Sequence, residues 1–141
     1  MKKLFNALIT IIVLFTIFLL IQPNLTQSFQ NKGADNKELY KNEISLSELK
    51  KEIENNRNAT IYFYQTNCSH CKVVSPIIIP MAESLNIDLK TIDLEEYPDA
   101  WDAFQIEATP TIVNYNNKKE VDRIEGEYPK STFEEWLEAT K

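Results

Sequence analysis

Glycine and cysteine are both scarce, with two of each in 141 residues, and there is one histidine. Two glycines exclude a collagen-like repeat, and two cysteines exclude a small scaffold stapled by several disulfides. Positive charge is also short. The 15 basic residues face 21 acidic ones, for a net charge of −6, and a chain without a cationic surplus lacks the means to neutralise a phosphate backbone. Nucleic acid is therefore not an expected partner. What the chain does have is apolar residues (43%) and aromatics (11%), in proportions that exclude whole-chain disorder. Its length suits one compact domain and falls short of two ordinary ones.

The charge is unevenly placed. Lys2 and Lys3 are the only charged residues among the first 30, so every acid lies beyond them. Residues 4–21 read LFNALITIIVLFTIFLLI, interrupted only by Asn6, Thr10 and Thr16. As a helix rising about 1.5 Å per residue, this run spans roughly 27 Å, close to the hydrocarbon thickness of a bilayer. A soluble core helix would show a polar face at helical spacing, and this run shows none. It is longer than the core of a cleaved signal, and Gln22-Pro23-Asn24-Leu25-Thr26 offers no small-x-small cleavage site. The expectation is an uncleaved single-pass anchor, with secretion after signal cleavage as the alternative. Basic flanks stay cytoplasmic, which puts the N-terminus inside and the remainder outside the cytoplasm. The domain plan is a cytoplasmic start and transmembrane anchor over residues 1–21, a polar flexible tether over 22–38 and a folded domain over 39–141. Such a plan suits a bacterial cell membrane.

Within the domain, Ser45 and Glu48 form a capping box, and Leu46, Leu49 and Ile53 give the helix after it an apolar stripe. A short edge strand over residues 39–44 is expected before it. Residues 59–65, ATIYFYQ, are rich in β-branched and aromatic residues, as a central buried strand should be. A helical pattern over 69–85 contains Pro76 and Pro80, so a kinked or broken helix is expected. Strand 88–94 and helix 98–104 follow, then strands 111–115 and 121–125 joined by a hairpin through Asn116-Asn117-Lys118-Lys119. Ser131 and Glu134 read as a second capping box before a helix with Phe133, Trp136 and Leu137 on one stripe. The order β α β α β α β β α describes an α/β fold, a mixed central sheet with helices on both faces. Alternation implies parallel crossovers, and the short hairpin makes the last two strands antiparallel.

Both cysteines fall in Cys68-Ser69-His70-Cys71, between the buried strand and the helix. A helix N-terminus favours a thiolate at Cys68. Two intervening residues let the second sulfur reach the first and release a substrate bound to it. His70 can donate a hydrogen bond or positive charge to that thiolate. Metal binding is disfavoured, since two cysteines and one histidine inside a single turn fall short of about four tetrahedral ligands. Haem attachment needs a histidine directly after Cys71, where Lys72 stands. An inert structural disulfide is the remaining alternative, and so small a loop would constrain the unfolded chain little.

The segment Tyr62 to Lys72, with Pro76 after it, resembles the active-site strand and helix of the thioredoxin family. Thr109-Pro110-Thr111 is similar to the family's cis-proline loop, and Gly126 to its glycine after the last strand. The resemblance covers residues 39–141 and implies a thioredoxin-like fold acting as a protein-disulfide oxidoreductase. It implies Cys68 as nucleophile, Cys71 as resolving cysteine, a cis peptide before Pro110, and Thr109 offering backbone hydrogen bonds to substrate. It implies no cofactor beyond the redox-active Cys68–Cys71 pair. The chain also departs from cytosolic thioredoxin. Asn67 replaces the tryptophan before the first cysteine, Tyr62 replaces a buried aspartate, and Ser69-His70 replaces Gly-Pro. A histidine directly before the second cysteine is similar to the disulfide-forming enzymes of the bacterial periplasm, although their inserted helical domain is missing.

The expected function is thiol–disulfide exchange with cysteine-containing exported proteins or peptides, leaning towards disulfide formation or isomerisation. A membrane or extracellular thiol partner would reset the pair. A membrane-tethered reductase is one alternative, and a non-catalytic peptide-binding module using the Thr109–Pro110 groove is another. Other residues read as structural. Tyr62, Phe63, Tyr64, Trp101 and Phe104 are expected in the core. Asp93-Leu94-Glu95-Glu96 lacks the glycine and ligand spacing of a calcium loop and is expected to be a solvated strand end.

Overall fold

A computed structural model describes residues 11–18, 37–56 and 58–141. Residues 11–18 are helical, and the seven apolar side chains there are all exposed. Among the described residues no helix is long and apolar enough to cross a membrane. The rest of the expected anchor, 1–10 and 19–21, and most of the expected tether, 22–36, lie outside the described residues. Leu39–Lys141 form one compact unit.

That unit contains α1 (Leu46–Asn55), β1 (Asn58–Tyr64), α2 (Ser69–Ser84), β2 (Leu89–Asp93), α3 (Asp99–Ala103), β3 (Thr111–Asn116), β4 (Lys119–Glu125) and α4 (Lys130–Ala139). The sheet order is β2-β1-β3-β4, with β1 and β2 parallel and the β1–β3 and β3–β4 pairs antiparallel. Strand alternation divides the core in two. Tyr62 and Tyr64 pack with Val74, Ile78 and Ala82 of α2 and with Phe133 and Leu137 of α4. Ile61 and Phe63 point the other way, onto Leu49 and Ile53 of α1 and Ala100 of α3. The sheet is therefore mixed, with helices on both faces.

Four details differ from the sequence expectations. First, β3 runs antiparallel to β1. A five-residue helix rises only about 7 Å, too little to carry the chain from the end of β2 back along a strand. The chain stays at that end of the sheet, where Thr111 enters opposite Phe63. Second, residues 39–44 form no strand. Glu43 N–H bonds to the Tyr40 carbonyl (3.0 Å), closing a turn, and a single bridge joins Glu43 to Thr91. Third, α4 starts two residues early, capped by Pro129, whose carbonyl accepts from Thr132 N–H at 3.0 Å. Ser131 is thus inside the first turn, and no capping box forms. Fourth, of the two forms expected for α2, kinked or broken, the broken one is absent: the helix is continuous through Pro76 and Pro80. Each proline removes one helical hydrogen bond, and burial of Cys71, Val74, Ser75, Ile78, Ile79, Met81 and Ala82 outweighs the loss.

Where local chemistry was complete, the elements match. Ser45 Oγ accepts from Glu48 N–H (3.3 Å), and Glu48 Oε2 accepts from Ser45 N–H (2.8 Å). Asn117 (φ 49°) and Lys118 (φ 70°) form the two-residue hairpin turn, whose positive angles asparagine tolerates well.

Candidate active site

Cys68 is the N-cap of α2, held extended at φ −70° and ψ 122°. Its Sγ accepts from the Cys71 backbone N–H at 3.2 Å, and its S–H donates to the Thr109 carbonyl at 3.3 Å. Both cysteines are free thiols; Cys68 is partly exposed and Cys71 is 1% exposed. The Thr109–Pro110 peptide is cis. Two bonds fix that loop against the site. Thr109 Oγ1 donates to Gln65 Oε1 at the end of β1 (3.0 Å), and Gly126 N–H donates to the Pro110 carbonyl (2.7 Å). Gly126 has φ +93°, a backbone angle that side-chain-bearing residues rarely adopt.

The two thiols are electrostatically unequal. Burial pushes Cys68 up, but hydrogen bonds from the Cys71 and Thr109 side chains and from the Cys71 and His70 backbone N–H groups outweigh it. The net effect holds Cys68 below the ordinary thiol range. Cys71 is pushed up to about 11, first by burial and then by its hydrogen bond with Cys68. A thiolate at the more exposed sulfur beside a protonated, buried neighbour is the arrangement that a two-step exchange requires.

The structure brings Cys68, Cys71, Thr109 and Pro110 together. It also gives His70 a partner beyond the thiol: His70 Nδ1 pairs with Glu127 Oε2 at 2.8 Å, while the imidazole still interacts through charge with Cys68. That nitrogen is committed to a carboxylate 57 positions away, and the His70 backbone N–H supports Cys68. Its pKa is raised chiefly by the Glu127 bond. Stability from this pair is full below the unfolded histidine value and is lost as pH rises through the folded one. The sole imidazole should titrate above about 6.5 in an NMR pH series and fall towards that value in Glu127→Gln. A titration unmoved by Glu127→Gln would contradict the pairing.

Three further contributors were not identified from the sequence. Glu95, expected to be merely solvated, accepts from Thr66 Oγ1, from Asn67 N–H (3.2 Å) and from Asn67 Nδ2 (3.2 Å), directly before Cys68. Ser75, one turn below Cys71, is fully buried and hydrogen-bonded to Tyr62 and Tyr40, each at 2.8 Å. Its i+4 spacing from Cys71 was the available signal. Glu127 had none, because its partner is remote in sequence. Tyr62, in the place of the family's buried aspartate, is raised by burial and is neutral at physiological pH.

Residues 40–139 match the family model described as Thioredoxin. The chain belongs to the thioredoxin family. Thioredoxin Y2, chloroplastic, of Arabidopsis thaliana is 37% identical over 78 residues, covering 54% of this chain and 47% of that protein. Thioredoxin H2 of the same plant is 32% identical over 85 residues, 60% of this chain and 62% of its own length. The chain thus spans about half the length of the curated thioredoxins it matches. The structure of Plasmodium falciparum thioredoxin superposes with a TM-score of 0.64 at 21% identity, covering 70% of this chain and 98% of that one. Thioredoxins work through a redox-active cysteine pair without a cofactor.

Proposed function

We propose that this chain is a thiol–disulfide oxidoreductase anchored in a cell membrane by residues 4–21, with residues 39–141 outside the cytoplasm. The observation that carries the chemical part is the pairing of an acidic, partly exposed Cys68 thiol with a buried Cys71 that stays protonated. Cys68 thiolate attacks a substrate disulfide, forming a Cys68–substrate bond and expelling one substrate thiolate. Cys71 then gives up its proton, which the expelled thiolate takes up, and its sulfur attacks Cys68. The Cys68–Cys71 disulfide forms, the second substrate sulfur leaves as a thiolate, and two electrons have passed to the substrate. Run backwards, the same steps oxidise a substrate dithiol. Substrates are cysteine-containing exported proteins or peptides, presented beside the Thr109 carbonyl.

The anchor rests on the uncharged run 4–21, on Lys2 and Lys3 before it, and on the exposed apolar side chains of helical residues 11–18. The direction leans towards disulfide formation or isomerisation on His70, because a local charge that stabilises the Cys68 thiolate stabilises the reduced protein and makes the couple more oxidising. The similarity to thioredoxins favours the reductase reading instead. A reduction potential near about −180 mV supports the first, and one near about −270 mV the second. Location is tested with a membrane-impermeant thiol reagent on intact cells holding the reduced protein. Cys68 should be labelled without lysis. Labelling only after lysis would contradict the outward placement.

A further inference from the structure

Thr66 and Asn67 are the only residues between Gln65, at the end of the buried strand, and Cys68. A link so short decides where the sulfur lies. Each of its polar hydrogens that the structure pairs goes to one carboxylate: Thr66 Oγ1–H and Asn67 Nδ2–H to Glu95 Oε2, and Asn67 N–H to Glu95 Oε1. Glu95 is itself fixed to the sheet. Its N–H donates to Asp93 Oδ1 (2.9 Å), and Leu94 N–H donates to the Tyr64 carbonyl (2.8 Å). Asp93 lies opposite Tyr64 in the β1–β2 register. The carboxylate therefore transfers the position of the sheet to the link, and the link sets Cys68 where its Sγ meets Cys71 N–H and the Thr109 carbonyl.

We propose that Glu95 is a positioning residue for Cys68, acting through Thr66 and Asn67 rather than through its charge. The inference rests on Cys68 being the nucleophile. Two effects of Glu95 oppose each other. As an anion near the site it disfavours a second negative charge on sulfur. As a three-bond acceptor it holds Cys68 in the N-cap position, where helix N–H groups favour that charge. The hydrogen bonds hold the Glu95 carboxyl below its ordinary value, with the Thr66 bond first among them. Glu95 thus stays ionised wherever the thiol titrates, and a pH change near neutrality leaves the clamp in place.

The opposed signs make the test decisive. The pH dependence of Cys68 alkylation, located by mass spectrometry in the full chain, gives the thiol pKa. Glu95→Ala should raise it by about 0.5 unit, lowering the thiolate fraction at pH 7 about threefold. Glu95→Gln keeps one carbonyl oxygen as acceptor and should fall between. A downward shift in Glu95→Ala would show that charge dominates and overturn the proposal. An unmoved pKa with a lowered melting temperature would also overturn it, leaving Glu95 a purely structural tie. Cys68→Ser run alongside separates the two readings. Disulfide exchange that survives without Cys68 refutes the nucleophile assignment, whereas the pKa of the Cys68 thiol in the Glu95 variants still reports on positioning.

Discussion

Cys71→Ser should accumulate mixed disulfides through Cys68, while Cys68→Ser should form none and reduce exchange to the uncatalysed background. The asymmetry comes from the two environments. Cys68 sits at the helix N-terminus with its sulfur partly exposed, so a substrate disulfide can approach it and a thiolate is present to attack. Cys71 is covered, and its pKa of about 11 leaves almost no thiolate near neutrality. It acts only after a mixed disulfide has formed one turn away. Without Cys71 the first step still proceeds and the second does not, so the adduct persists. Non-reducing electrophoresis followed by mass spectrometry would show adducts at Cys68 in one variant and none in the other. Equal trapping by both variants would contradict the assignment.

Phe133→Ala should destabilise the domain by about 3–5 kcal/mol. Phe133 is fully buried, packs in the same cluster as Tyr62, Ile78 and Ile112, and meets Tyr128 edge-on at 6.1 Å. Truncation removes the aromatic contacts and leaves a void that the helix and sheet on either side fill only in part. Against a total stability of about 5–15 kcal/mol, a loss of this size is large. Phe133→Leu should retain most of the stability, losing less than about 1.5 kcal/mol. Urea unfolding of the three proteins measures this directly. A loss below about 1 kcal/mol in Phe133→Ala would contradict the packing of α4 against the sheet.

Features whose determinants lie within a few residues were legible in the sequence. Ser45 and Glu48 are three apart and make the capping box that their spacing implies. The run from Ala59 to Tyr64 is β-branched and aromatic at all but one position, as suits a strand covered on both faces, and its burial follows. The Cys68-Ser69-His70-Cys71 turn opens a helix because a buried strand and a helical pattern flank it. Features decided by distant partners were not legible. Glu95 reads as solvated until β2 is laid beside β1, which brings it under Asn67. The second partner of His70, Glu127, is brought to it only when the chain after β4 returns. The direction of β3 follows from how far α3 can carry the chain, which strand and helix alternation alone does not encode.

The chemical claim is most directly tested by equilibrating the full chain in a graded series of reduced and oxidised glutathione. Free thiols are then counted by alkylation and mass spectrometry. Cys68 and Cys71 should lose their thiols together in one reversible two-electron transition, with a tenfold change in the equilibrium for each roughly 30 mV. Cysteines that stay reduced across the series, or that pair with glutathione independently without ever joining each other, would contradict the account.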